Sequence, residues 1–156
     1  MNKIYMLKAI EEARCGAKAG DGGPFGSVIV KDGRILASAH NTVLKSNDPT
    51  QHAEIKAISM AAAGSGSYDL SGCDIYSTNE PCPMCFSAIH WARISRLFYG
   101  TSIEDVRRLG FNEMTLPAEF LKEKGASPVE IRGGCMIEEC RKLLKYWESL
   151  PDRKVY

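Results

Sequence analysis

The sequence predicts an α/β fold, a three-layer α-β-α sandwich around a mixed five-stranded sheet, and three observations lead there. Helical and strand periodicities alternate along the chain in the order α-β-β-α-β-α-β-(α)-β-α. The first two strands are separated only by Lys31-Asp-Gly-Arg34, a hairpin turn, so they run antiparallel. Later strands are separated by helix-length segments, and a strand–helix–strand passage makes its two strands parallel neighbours. A sheet with both kinds of connection is mixed, and its helices cover both faces.

Each element has its own local signal. Residues 3–19 place Ile4, Leu7, Ala9, Ile10, Ala13 and Ala17 at helical spacing with charges between them, and Gly20-Asp-Gly-Gly-Pro24 ends that helix. Phe25–Val30 reads as a strand and Ile35–His40 as its hairpin partner. Lys45-Ser-Asn-Asp-Pro-Thr50 is polar and turn-rich, a loop leading into a helix that starts near His52. Ile55, Ile58, Ser59 and Ala62 continue that helix until Gly64-Ser-Gly-Ser67 stops it. Asp74–Thr78 is a short strand, Pro81–Ala92 a helix with proline in its first turn, and Ile94–Tyr99 the next strand. Residues 102–110 read as helical, 111–127 as a helical or irregular excursion, and Val129–Arg132 as the fifth strand. Met136–Ser149 is the final helix before a polar tail, 151–156.

Composition bounds the function. A chain of 156 residues with 44% hydrophobic and 25% charged content makes one domain with a full core. A net charge of +1 gives no basic field to gather nucleic acid. The first twenty residues carry acids and lack the apolar run of a signal peptide, and nothing approaches a membrane span. Six cysteines stand at 15, 73, 82, 85, 135 and 140. Without a secretion signal they read as free thiols in a reducing, cytoplasmic compartment, with Cys15, Cys73, Cys135 and Cys140 packing as small hydrophobes. Trp91 and Trp147 fall on helices and read as core or interface packing.

The chemistry lies in His52-Ala-Glu54 and Pro81-Cys82-Pro-Met-Cys85. One imidazole and two cysteines are three ligands for tetrahedral zinc and leave the fourth position to water, the pattern of a catalytic site. A structural site would want a fourth cysteine or histidine, and neither His40 nor His90 has the spacing to supply it. His52 and Glu54 open one helix and Cys82 and Cys85 the next, with the cysteines at i and i+3 on one face. Helix starts gather at the carboxyl ends of the strands, where ligands bind in such folds, and they favour thiolates. Zinc acidifies water toward neutrality, and Glu54 is placed to carry a proton from that water to a substrate.

These residues resemble the signature of zinc deaminases acting on nucleobases. The chain is identified as a member of the cytidine deaminase-like superfamily, and its likeness is nearest to the bacterial guanine deaminases. Besides the zinc signature, the likeness is carried by Gly22-Gly-Pro-Phe-Gly26, Ser46-Asn-Asp-Pro-Thr50, Ala88-Ile-His-Trp-Ala-Arg93, Gly110-Phe111 and the closing Lys154-Val-Tyr156. Residues 112–133 match least. The resemblance implies one Zn2+ per subunit on His52, Cys82 and Cys85, and Glu54 as the catalytic acid/base. It further implies a purine stacked on Phe25, a base edge bonded by Asn41, the Ala53 backbone facing the ring, and Glu113 reading the guanine N1–H and amine. The family more often has Asp-Asp where this chain has Asn112-Glu113, so the reading carboxylate here sits on a longer side chain. The resemblance also implies a homodimer in which the tail, 150–156, is exchanged so that Tyr156 closes the partner's site. The expected reaction is conversion of guanine to xanthine and ammonia. Guanosine, cytosine and isocytosine are alternative substrates. A tRNA adenosine deaminase shares the zinc motif but calls for a basic strand-binding surface.

Overall fold

The computed structural model describes residues 2–156. It places one five-stranded sheet in the order β2-β1-β3-β4-β5, formed by β1 (Gly26–Lys31), β2 (Arg34–His40), β3 (Asp74–Asn79), β4 (Arg96–Thr101) and β5 (Glu130–Arg132). β1 runs antiparallel to both β2 and β3, whereas β3–β4 and β4–β5 are parallel. The mixed sheet of the sequence reading is therefore present. Its antiparallel part begins at the hairpin, where Asp32 and Gly33 both take positive φ, of 49° and 77°. That backbone suits a tight two-residue connection between twisted strands, and Asp-Gly adopts it readily.

The helices are α1 (Lys3–Ala19), α2 (Val43–Ser46), α3 (Ala53–Ser65), α4 (Pro83–Trp91), α5 (Ile103–Arg107), α6 (Ala118–Lys124) and α7 (Ile137–Glu148). α1 starts where the Asn2 side chain accepts from the Ile4 amide at 3.0 Å, and it stops at Gly20 in the left-handed conformation. Its Met6 and Ala9 pack with Val28, Val30, Tyr76, Phe98 and Cys140 of α7 on one face of the sheet. Ala57 and Ala61 of α3, Phe86 and Ile89 of α4 and Ala118 of α6 pack over Ile29, Ile75 and Leu97 on the other. A third cluster sits at one end of the sheet: Ala17, Phe25, Ala53, Val106, Phe111 and Trp147, with Tyr156 against it. It draws on both helical layers and forms the floor of the candidate active site.

Several expectations need correction. The segment before Pro49 is not all loop, because α2 makes one helical turn there, too short to leave an apolar period in the sequence. β4 begins at Arg96 rather than Ile94. The excursion over 111–127 divides into an irregular stretch and α6. Cys15 is exposed on α1, so it does not pack as a core hydrophobe, although all six cysteines are free as expected. Trp147 is buried, but Trp91 is 78% exposed and belongs to no core. Among the described residues no helix is long and apolar enough to cross a membrane.

Candidate active site

α3 and α4 both begin at the carboxyl end of β-structure, and each begins on a metal-ligating side chain. His52 is the N-cap of α3 and Cys82 the N-cap of α4, both in extended backbone. Neither side chain caps its own helix, so both remain available to a ligand. Pro83 follows at the first helical position, where its missing N–H costs nothing. Cys85 lies one turn further on. His52 Nδ1 stands 3.7 Å from Cys82 Sγ and 3.5 Å from Cys85 Sγ, and the three ligand atoms lie within 4.8 Å of one another. A tetrahedral zinc with ordinary bond lengths separates its nitrogen and sulfur ligands by about 3.6 Å. The three residues are therefore positioned to bind such an ion, and they form the one such cluster among the described residues. His40 and His90 are engaged elsewhere, against Asp21 at 3.0 Å and Ser127 at 2.9 Å.

The electrostatics agree with that use. The hydrogen bond from Cys85, with His52 beside it, brings the Cys82 thiol down to about 4 against the opposing effect of burial. The same bond and burial hold Cys85 well above the usual thiol range, so it is the sulfur of the pair that holds a proton more tightly. Metal binding requires both as thiolates and so releases that proton. Burial works to lower His52, but its contact with Cys82 and the nearby carboxylates raise it overall.

Glu54, in the first turn of α3, is 3% exposed. Burial pushes its carboxyl up, and the Ser77 hydroxyl of β3 donates to Oε1 at 2.6 Å. Its Oε2 faces the Cys85 sulfur at 3.5 Å. A buried carboxylate held from below by a hydroxyl and set beside a metal cluster is equipped to take up and return a proton.

In front of the cluster lies a cavity of about 220 Å³, walled by Phe25, Phe111, Glu113, Tyr156, His52 and Cys82, with Pro49, Met84 and Met114 at its edges. Phe25 and Phe111 meet edge to face at 5.1 Å, and Tyr156 meets Phe111 likewise at 5.3 Å. The Tyr156 hydroxyl donates to Asn41 Oδ1 at 2.7 Å and accepts from the Gly23 amide at 3.1 Å. A side chain at Gly22 would collide with the Asn41 carboxamide, and one at Gly23 with the Phe25 ring, which accounts for the Gly-Gly pair. Burial, and then the Cys82 sulfur, push the Glu113 carboxyl up to about 7.

Residues 1–101 match the family model of the cytidine and deoxycytidylate deaminase zinc-binding region. The chain belongs to that family. It is a zinc-binding hydrolytic deaminase, and His52, Cys82 and Cys85 are positioned to bind the metal ion. It is 37% identical to the guanine deaminase of Bacillus subtilis over 155 residues, 99% of either chain. It is 47% identical to the tRNA-specific adenosine deaminase of Agrobacterium fabrum over 96 residues, 62% of either chain. Among solved structures, a guanine deaminase from Nitrosomonas europaea superimposes with a TM-score of 0.88 at 27% identity, covering 96% of this chain and 86% of that one.

The deaminase thus brings together most of the residues singled out from its sequence, but not all in the same role. Phe25, Glu113 and Tyr156 line the cavity, whereas Asn41, Ala53 and Glu54 are buried and lie outside its lining. Asn41 spends its oxygen on Tyr156 and on the Val43 amide at 3.1 Å, while its Nδ2 is buried without a partner. Tyr156 makes these contacts within its own chain. Sequence reasoning missed Ser77 and the wall role of Phe111. Strand alternation around Ile75 would have turned Ser77 toward α3, and Phe111 stood in the Gly-Phe pair without an assigned role.

Proposed function

We propose that this deaminase acts on a free nucleobase, converting guanine and water to xanthine and ammonia. The observation that carries the choice of base is Glu113, whose carboxyl is acceptor-only once ionised, on the wall of a cavity smaller than the ~300–1,000 Å³ of drug-sized sites. Guanine offers that wall two donors side by side, N1–H and its amine, whereas adenine and cytosine set an acceptor next to theirs. The full-length likeness to a guanine deaminase supports the same base. The likeness to tRNA-specific deaminases favours an alternative, but a net charge of +1 does not suit a polynucleotide.

A zinc ion held by His52, Cys82 and Cys85 would supply Lewis acidity that brings the ionisation of water toward neutral pH. The remaining work falls to side chains. Phe25 and Phe111 hold the ring plane, and Glu113 fixes the edge. Glu54 takes one proton from the attacking water and delivers it to a ring nitrogen as the C–O bond forms, then takes the proton of the added hydroxyl and passes it to the amine as the C–N bond breaks and the carbonyl forms. Ser77 keeps that carboxylate aimed. Asn41 orients Tyr156 with its oxygen, and its free Nδ2 is a donor for a ring acceptor once the tyrosine moves aside. The same reading takes the enzyme as a homodimer whose tail, 150–156, exchanges between subunits, with Tyr156 meeting Gly23 and Asn41 in either arrangement. Six unpaired thiols suit a reducing compartment such as the cytoplasm.

Ammonia release from the purified zinc form, screened against guanine, guanosine, cytosine, isocytosine and adenine, tests the assignment. Guanine should give the highest kcat/KM, and a faster rate on any other member of the set would replace it as the substrate.

A further inference from the structure

Glu80 lies between β3 and Pro81-Cys82, outside both the metal cluster and the cavity wall. It is 6% exposed. Its backbone N–H donates to the Thr101 carbonyl at 2.7 Å, fastening it to the end of β4. Its carboxylate accepts two backbone N–H groups from well-separated places: Ile103, the first residue of α5, at 3.1 Å on Oε2, and Ala118, the first residue of α6, at 2.9 Å on Oε1. The opening amides of a helix have no partner within it. In α5 the Ser102 hydroxyl takes the Asp105 amide and leaves the Ile103 amide to Glu80. In α6 the N-cap is Pro117, whose ring has no hydrogen-bonding group to offer, so Glu80 does the capping from a distance.

Between these anchor points runs 108–117, which contains no helix or strand and carries Phe111, Glu113 and Met114 of the cavity wall. Two residues beyond Glu80 in the other direction stands Cys82. We propose that Glu80 is a positioning residue for base specificity. It sets the spacing between the metal ligands and the base-reading wall by clamping both ends of the segment that carries Glu113. The inference rests on the guanine reading only for which base the wall recognises.

Glu80→Gln has the same shape but turns an amide N–H toward one of the two backbone donors. The metal loop is held separately by β3 and α4, so zinc content should stay at one per chain. Hydrogen–deuterium exchange, measured without substrate, should accelerate in peptides covering 103–118 and stay unchanged in 82–92. KM for guanine should rise about tenfold with kcat within about twofold, a loss of positioning rather than of chemistry. Ala118→Pro provides a second route should Glu80→Gln fold poorly. It deletes one of the two N–H donors at the first position of a helix, where proline fits. The preceding residue, Pro117, is already extended at ψ 145°, as a following proline requires. This variant should move exchange and KM in the same direction. Loss of zinc, or a kcat loss at unchanged KM, would assign Glu80 to the metal loop and overturn the proposal, as would unchanged exchange in 103–118. Because the exchange measurement needs no base, it judges Glu80 even if guanine proves not to be the substrate.

Discussion

His52 and Cys82 are the N-caps of two helices that pack on one face of the sheet, whereas Glu113 hangs from an irregular stretch joined to the fold at its ends. The metal cluster inherits its geometry from helices anchored in the core, with Ala53, Ala57, Phe86 and Ile89 buried on them. The segment of cavity wall that carries Glu113 has no helix or strand of its own. Its shape comes from a few specific contacts: Glu80 at the two ends, the Phe111 ring among Phe25, Trp147 and Tyr156, and the Asn112 amide on the Tyr156 carbonyl at 3.3 Å. The metal cluster rests on packed helices, and this wall rests on contacts that can be altered one at a time. Changes in the first region should therefore move kcat, and changes in the second should move KM and the preferred base.

The largest effect belongs to the rigid region. Glu54→Gln keeps the shape of the buried side chain and should leave zinc bound, yet kcat should fall by about 10²–10⁴-fold, the usual worth of a positioned acid/base. A variant near the wild-type rate in a steady-state ammonia assay would remove Glu54 from proton transfer.

Removing residues 151–156 should act next most strongly. It deletes Tyr156, exposes Phe111 and frees the Asn41 oxygen. Activity at low guanine should be crippled while zinc content, measured by elemental analysis, is unchanged. Kinetics equal to the full chain would refute the closing role of the tail.

Glu113→Gln sharpens the comparison through pH. With its carboxyl held up near 7, Glu113 becomes the acceptor-only form that guanine needs as pH rises through that value. KM for guanine should therefore improve from pH 6 to pH 8 in the wild type, and the Gln variant should show a high, flat KM over that range. For folding the sign is opposite. An acid whose folded pKa is raised stabilises most below its ordinary value of 4.5, and that contribution disappears as pH climbs through about 7. Melts of the zinc-free protein across this window should lose Tm more steeply in the wild type than in the variant. Parallel curves would show that Glu113 does not titrate there.

What could be read in advance follows the same division. The metal ligands and Glu54 are close neighbours within two short motifs, and helix starts and strand alternation fix where such neighbours point. α1, β1, β2, α3 and α4 were legible for that reason, each bounded by a glycine, a proline or a hairpin turn. α2 was not, because one turn has no period. Cys15 was misread because helical residence alone does not say which face is covered, and for the same reason Trp91, expected in the core or at an interface, lies outside the core of this chain. Phe25, Asn41, Phe111 and Tyr156 carried no local sign of meeting one another.

The sequence by itself determined the fold class, the zinc ligands and the reaction type, since each depends on residue types at short spacing along rigid elements. Tertiary structure alone decided that Ser77 aims Glu54, that Asn41 holds Tyr156 rather than lining the cavity, and that Glu80 clamps the segment carrying Glu113. Those relations join groups far apart in the chain, and hydrogen bonds of about 3 Å form only where the packed layers bring them within reach.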